Sequence, residues 1–158
     1  MTGPAYFILE LSDAEKLRSF VSEANKASSI EMTEDEIKAA LKSVLERTSW
    51  QVHVNWGKKE GAHIEATSGN RSLIIEAKPH GKTRQALGNN FLQVLGQILQ
   101  RMSDSIHQYG VALPAHPSYA ELVLKLPKNV RQVLRLDFYF VRRSGTVHEV
   151  GVFKWTDG

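Results

Sequence analysis

Residues 61–78, GAHIEATSGNRSLIIEAK, are the segment that most narrows what this chain can fold into. Gly69-Asn70 is a two-residue loop of the kind that closes β-hairpins, because such turns need residues that accept positive φ. That loop sets the pairing: His63 opposes Glu76, Glu65 opposes Ile74, and Gly61 opposes Lys78. Side chains alternate along a strand, so Ala62, Ile64, Ala66, Leu73, Ile75 and Ala77 share one wholly apolar face. His63, Glu65, Thr67, Ser72, Ile74, Glu76 and Lys78 share the other. A slip of one residue would mix the two sets, so the pattern itself supports the register. Cross-strand Cβ atoms lie about 4.5–5.5 Å apart, which brings His63 and Glu76 within reach of one cation.

The flanking sequence supplies the partners such a hairpin needs. Ala5 to Leu11 is a short apolar run. Ser12 with Glu15 is a capping-box pattern that predicts a helix over residues 13–26, and residues 1–30 read as an accessory N-terminal segment. A second box, Thr33 with Glu36, opens a helix over 34–47 with Ile37, Leu41, Val44 and Leu45 on its buried face. Trp50, Val52, Val54 and Trp56 alternate with polar residues, as in a strand. Beyond the hairpin and a basic loop, a long helix from about Leu87 to Met102 places Phe91, Leu92, Val94, Leu95, Ile98, Leu99 and Met102 on one arc. Asn89, Gln93, Gln97 and Gln100 lie opposite, amides where a solvated helix more often carries Lys and Glu. A strand at 109–113, a helix at 118–126 stopped by Pro127, and a hairpin from Leu134 to Trp155 turning at Ser144-Gly145 complete the order. The expectation is a single α/β domain over residues 1–158, a mixed β-sheet flanked by helices.

With 158 residues, 42% hydrophobic and 23% charged, the chain suits one soluble globular domain. It has no cysteine, which excludes disulfides, thiolate metal sites and cysteine nucleophiles. No apolar stretch approaches a membrane span and the opening Met-Thr-Gly-Pro lacks a basic region followed by an apolar run, so a cytoplasmic protein without a membrane partner is expected. The net charge of +3 is mild, but Lys58, Lys59, Arg71, Lys78, His80, Lys82 and Arg84 gather in or beside the hairpin. They form either a solvated rim or a phosphate-binding surface. His53, His107, His116 and His148 lack zinc-motif spacing, and no phosphate-binding glycine loop or nucleophile elbow occurs.

Phosphodiester hydrolysis needs a divalent cation to polarise phosphate and activate water, and a cationic group to stabilise the charge that develops. Glu76 and Lys78, two apart at the end of an apolar strand, offer both. An amphipathic helix, a Trp-initiated strand, a hairpin arm, a hydrophobic strand ending Glu-x-Lys, and a helix with Leu-Gly-Gln together resemble the PD-(D/E)xK nuclease superfamily, over about residues 33–141. The resemblance implies a restriction-endonuclease-like fold and a nuclease acting on DNA with Mg²⁺ (or Mn²⁺). It implies Glu76 as metal ligand, Lys78 as catalytic lysine, and Gln93 or Gln97 as the contribution of the following helix, with Glu46 as a further acid. Lys58, Lys59, His80, Lys82, Arg84 and Gln93 would contact nucleic acid. Where the family has Asp, this chain has His63, and imidazole suits transition metals better than Mg²⁺. Three accounts follow: His63 is itself a metal ligand or base, Glu65 or Glu60 replaces the missing carboxylate, or the site no longer cleaves. A silent domain binding DNA or a protein, and an assembly subunit using Ala5–Leu11 as its interface, are the other functional classes. A homodimer is an open alternative to a monomer.

Overall fold

The computed structural model describes residues 8–27, 31–57, 63–102 and 107–156, with residues 25–27 described as backbone. One mixed sheet contains β1 (Ile8–Glu10), β2 (Gln51–Val54), β3 (Ile64–Ser68), β4 (Arg71–Ala77), β5 (Gln108–Pro114), β6 (Leu136–Ser144) and β7 (Val147–Phe153). Its order is β1-β7-β6-β5-β4-β3-β2. The three central strands, β4, β5 and β6, run parallel, while β2–β3–β4 and β6–β7 are antiparallel. Around the sheet lie α1 (Ala14–Ala27), α2 (Glu34–Arg47), α3 (Arg84–Arg101), α4 (Pro117–Lys125) and α5 (Lys128–Leu134). This is the expected α/β arrangement, consistent with a restriction-endonuclease-like fold.

The hairpin register is the one derived from the turn: Ile64 pairs with Ile75 and Ser68 with Arg71, and Gly69 takes φ 63°. Ile64, Ala66, Leu73, Ile75 and Ala77 are all buried, packed with Ile37, Leu41, Val44 and Leu45 of α2 in one apolar core. The opposite sheet face is covered as well. There Phe91, Val94 and Ile98 of α3 join Leu17, Phe20 and Val21 of α1, Tyr119 of α4, and Phe138 and Phe140 of β6. Glu76 therefore lies beneath a helix instead of on a wet surface.

Local chemistry explains where the elements start and stop. Thr33 caps α2 as expected, its hydroxyl accepting the Glu36 N–H at 3.2 Å. α1 begins one residue later than predicted, so Asp13 caps it in place of Ser12, its carboxylate accepting the Lys16 N–H at 2.8 Å. Leu92 and Leu99, predicted on the buried arc of α3, are 69% and 47% exposed. Leu87, Phe91, Val94 and Ile98, spaced four, three and four, already fill the groove. Pro127 does stop α4, but its φ of −57° also starts α5, which the sequence did not indicate. Residues 8–27 belong to the main body: β1 pairs with β7 and α1 enters the shared core. Ile8, Leu9 and Leu11 of the apolar run proposed as an assembly interface are thus used inside the molecule. Ala5, Tyr6 and Phe7 lie outside the described residues. No helix among the described residues is long and apolar enough to cross a membrane.

Candidate functional site

Strand alternation sends Glu76 to the α3 side of the sheet near the C-terminal end of β4, where it is 1% exposed. A carboxylate this deep needs donors or a counter-charge. One donor is the His63 backbone N–H, 2.9 Å from Glu76 Oε2; the nearest cation is Arg101 Nε at 4.0 Å. Register thus brings positions 63 and 76 together, but the main chain of His63 makes the contact.

The imidazole has a different task. His63 Nδ1 accepts the Ala77 N–H at 2.9 Å, in the place where another ladder bond would form. An Nδ1 that accepts leaves the proton of the neutral ring on Nε2. That atom faces Glu34 Oε2 at 3.9 Å. Burial lowers the His63 pKa, partly offset by Glu76 and Glu34, which favours the neutral ring. To ligate a metal through Nε2, the ring would have to move its proton to Nδ1, against the Ala77 N–H.

Beside it lies a lysine that sequence reading passed over. Lys38 is fully buried, and its Nζ donates to the carbonyls of Asn55 at 2.7 Å and Gly57 at 3.3 Å. It also pairs with Glu34 at 3.1 Å and Asp35 at 3.8 Å. Asp35 in turn accepts the Gly57 N–H at 3.1 Å. This cluster ties the end of β2 to the first turn of α2. Glu34 is the α2 acid nearest the site. Glu46 stands twelve residues further along, about 18 Å away at 1.5 Å per residue, paired with Lys42 at 2.9 Å.

From α3, Gln93, Gln97 and Arg101 form a stripe at four-residue spacing that faces the end of β4. Lys78, half-buried, donates through Nζ to Gln93 Oε1 at 3.3 Å. Gln97 Oε1 and Arg101 Nε are buried without a hydrogen-bond partner. One more turn of the predicted amide stripe would have found Arg101. Nothing local marked Glu34 and Lys38, because an i, i+4 Glu–Lys pair usually reads as an exposed helix face.

The remaining candidates disperse. Glu65 is exposed on β3, between its partners His53 and Ile74. His80 Nδ1 accepts the Met32 N–H at 2.9 Å, and its ring meets His116 edge-on at 5.8 Å, so it buttresses the loop before α2. Lys82 and Arg84 are exposed beside the N-terminus of α3, which Thr83 caps. Lys58, Lys59 and Glu60 lie outside the described residues.

These groups do not fit a Mg²⁺ site as they stand. Mg²⁺ wants several hard oxygens in near-octahedral array, whereas here the inward carboxylate of Glu76 meets a backbone N–H and the imidazole turns a proton-bearing nitrogen toward Glu34. Among the described residues, no three His, Asp or Glu side chains form a set that could hold a metal ion.

No protein-family model matches the chain, and no curated protein matches it at a significant level. Among solved structures it is similar to an fdxN element excision controlling factor protein from Anabaena variabilis, at 18% identity and a TM-score of 0.50, over 72% of this chain and 95% of that one. An XisH family protein from Nostoc punctiforme matches at 18% identity and a TM-score of 0.49, over 71% and 94%. At such identity the likeness to the Anabaena protein bears on the fold alone.

Proposed function

We propose that this chain is a nuclease-fold domain that binds DNA without a working metal centre. The observation that carries this is the hydrogen bond from Ala77 N–H to His63 Nδ1. It commits the residue in the family's Asp position to holding the sheet end, with a donor instead of a lone pair toward Glu34. Glu76 is correspondingly compensated by protein groups, the His63 N–H and the Arg101 guanidinium.

The DNA partner is supported by charge and by the first turn of α3. That turn holds no acidic residue, so the positive end of the helix dipole is unopposed. Lys82 and Arg84 stand exposed at this end, and Lys78 directly follows β4 on the way to it. Backbone phosphates suit such a surface, and each neutralised phosphate releases counterions.

A second reading has its own observation. Glu76, Lys78, Gln93 and Gln97 converge at one end of the sheet, and Gln97 Oε1 is buried without a partner, as a group awaiting a water or cation would be. On this reading the chain is a metal-dependent endonuclease with Glu76, Lys78 and Gln97 in the catalytic centre, and the ligand set is completed on binding.

One set of measurements separates them. Fluorescence anisotropy with a duplex oligonucleotide should show affinity that falls with salt. Replacing Lys82 and Arg84 together by Ala should lower the salt slope by about two phosphates. Incubation with Mg²⁺ or Mn²⁺ should leave plasmid and single-stranded DNA intact. Cleavage that disappears in Lys78→Ala would establish the endonuclease, and absence of DNA binding at low salt would end both readings.

A further inference from the structure

The far end of the sheet, five residues and about 17 Å along β4 from Glu76, holds a second arrangement that the nuclease fold does not require. α2 stops there at Arg47, and Ser49 takes a left-handed backbone conformation, φ 73°, uncommon for a residue with a side chain. The Trp50 N–H returns to Leu45 O at 3.1 Å. This turn sets Trp50 beside the N-terminal ends of β4 and β6, where the helix no longer covers them. A cavity of about 410 Å³ remains, lined by Trp50, Trp155, Arg71, Asp137 and Tyr139 over an apolar floor that includes Leu73 and Val152. That size suits a small-molecule site.

Tyr139 distinguishes this cavity from a packing defect. It is only 6% exposed, and among the described residues its hydroxyl makes no hydrogen bond. Its ring lies against Gly110: a Cβ there would come within 2.6 Å of Tyr139 Cε2. The bare glycine lets the ring lie along β5 toward the strand starts. Arg71 and Asp137 line the cavity with it; burial and Asp137 raise the phenol pKa, while Arg71 lowers it. A phenylalanine would pack equally well against Gly110, so what the tyrosine adds is a hydroxyl that opens into the cavity. The hydroxyl is thus available to a ligand that enters the cavity.

The lining narrows the ligand class. Arg71 lies over the Trp50 ring at 4.8 Å, and Trp155 adds a second aromatic surface, so flat rings are favoured. Asp137 is held in place by accepting the Trp155 N–H at 2.8 Å. Carboxylate, phenol and guanidinium together offer both acceptors and donors to the edge of a ring. Arg71 and Lys154 are balanced by Asp137 and Glu10, and Lys154 pairs with Glu10 at 3.1 Å, so the cavity is not an anion trap. We propose that it binds a nucleobase, presented by a free nucleoside or by an unstacked position of a nucleic acid strand. This site is independent of whether the Glu76 end cleaves or binds DNA.

Tryptophan fluorescence of the full chain, titrated with guanosine, adenosine, cytidine and ribose 5-phosphate, tests it. At least one nucleoside should quench the signal and ribose 5-phosphate should not. Tyr139→Phe should fold with an unchanged or higher Tm and bind that nucleoside about tenfold more weakly. Trp56→Phe, which alters a tryptophan 41% exposed and outside the cavity, should quench as before. Tighter binding of a short single-stranded oligonucleotide than of the nucleoside would identify the strand as the source; weaker binding would identify the free nucleoside. Quenching by ribose 5-phosphate alone, no quenching by any nucleoside, or full affinity in Tyr139→Phe would each overturn the proposal.

Discussion

At the residue scale, several of the polar groups near Glu76 and Glu34 find their partners within the protein. Lys38 is the clearest case. A fully buried ammonium is tolerable only because two carbonyls and Glu34 lie within 3.3 Å of it, with Asp35 next. Replacement by Met would keep the volume but strand Glu34 and both carbonyls. Lys38→Met should therefore lose about 3–5 kcal/mol in chemical denaturation, and a loss below about 1 kcal/mol would show that solvent reaches the pocket readily. His63 follows the same logic, spending its ring nitrogen on the Ala77 amide. His63→Asp would replace the imidazole acceptor by a carboxylate and put a third negative charge between Glu34 and Glu76. The expected outcome is lower Tm in buffer and partial recovery with Mn²⁺ in a thermal-shift assay. The same Tm with and without Mn²⁺ would mean that a carboxylate at position 63 does not by itself create a metal site.

At the element scale, α2 is held from two directions. Its apolar face packs on the sheet, and its first turn grips the hairpin of β6 and β7 through Glu36. That carboxylate accepts from Arg143 Nε at 2.7 Å and Nη2 at 2.6 Å, and meets His148 Nε2 at 2.7 Å. Arg143 above all holds the Glu36 pKa down to about 2, from 4.5. The folded form then binds fewer protons than the unfolded chain between those values, so the stabilisation is complete above about pH 4.5 and fades as pH falls toward 2. Because Glu36 is partly solvated, Glu36→Gln should cost only about 1 kcal/mol at pH 7. Denaturation curves of the two proteins should converge as pH falls toward 2; a gap that stays constant with pH would assign the loss to packing instead of charge.

At the scale of the whole molecule, the sheet is closed by its earliest strand. β1 lies parallel to β7, pairing Ile8 with Val150 and Glu10 with Val152, and so covers an edge that would otherwise expose unpaired amides. Leu11 then enters the core across Gly151, where a Cβ would lie 2.7 Å from Leu11 Cδ1. Gly151→Ala should destabilise by about 1–3 kcal/mol through overpacking, and Leu11→Ala by about 2–5 kcal/mol through the cavity left behind. Since each relieves the other, the double variant should lose less than the sum of the two in urea unfolding. Simple additivity would mean that the chain before α1 shifts away from β7 at little cost.

What the sequence determined was whatever follows from short-range geometry. A two-residue turn and strict alternation were enough to pair Ile64 with Ile75, and Thr33 with Glu36 was enough to start α2, because hydrogen bonds and side-chain direction act over a few residues. The Glu-x-Lys strand end and the amide stripe of α3 were legible for the same reason. Tertiary structure alone decided which atoms those residues use. Letters could bring His63 opposite Glu76, but only the fold showed the contact made by a backbone N–H and the imidazole spent on Ala77. Nor could they reveal Lys38 or Tyr139, whose burial depends on helices and strands far apart in sequence meeting over them. Desolvation is a property of the assembled layers, and it turns an ordinary surface pair into a buried network.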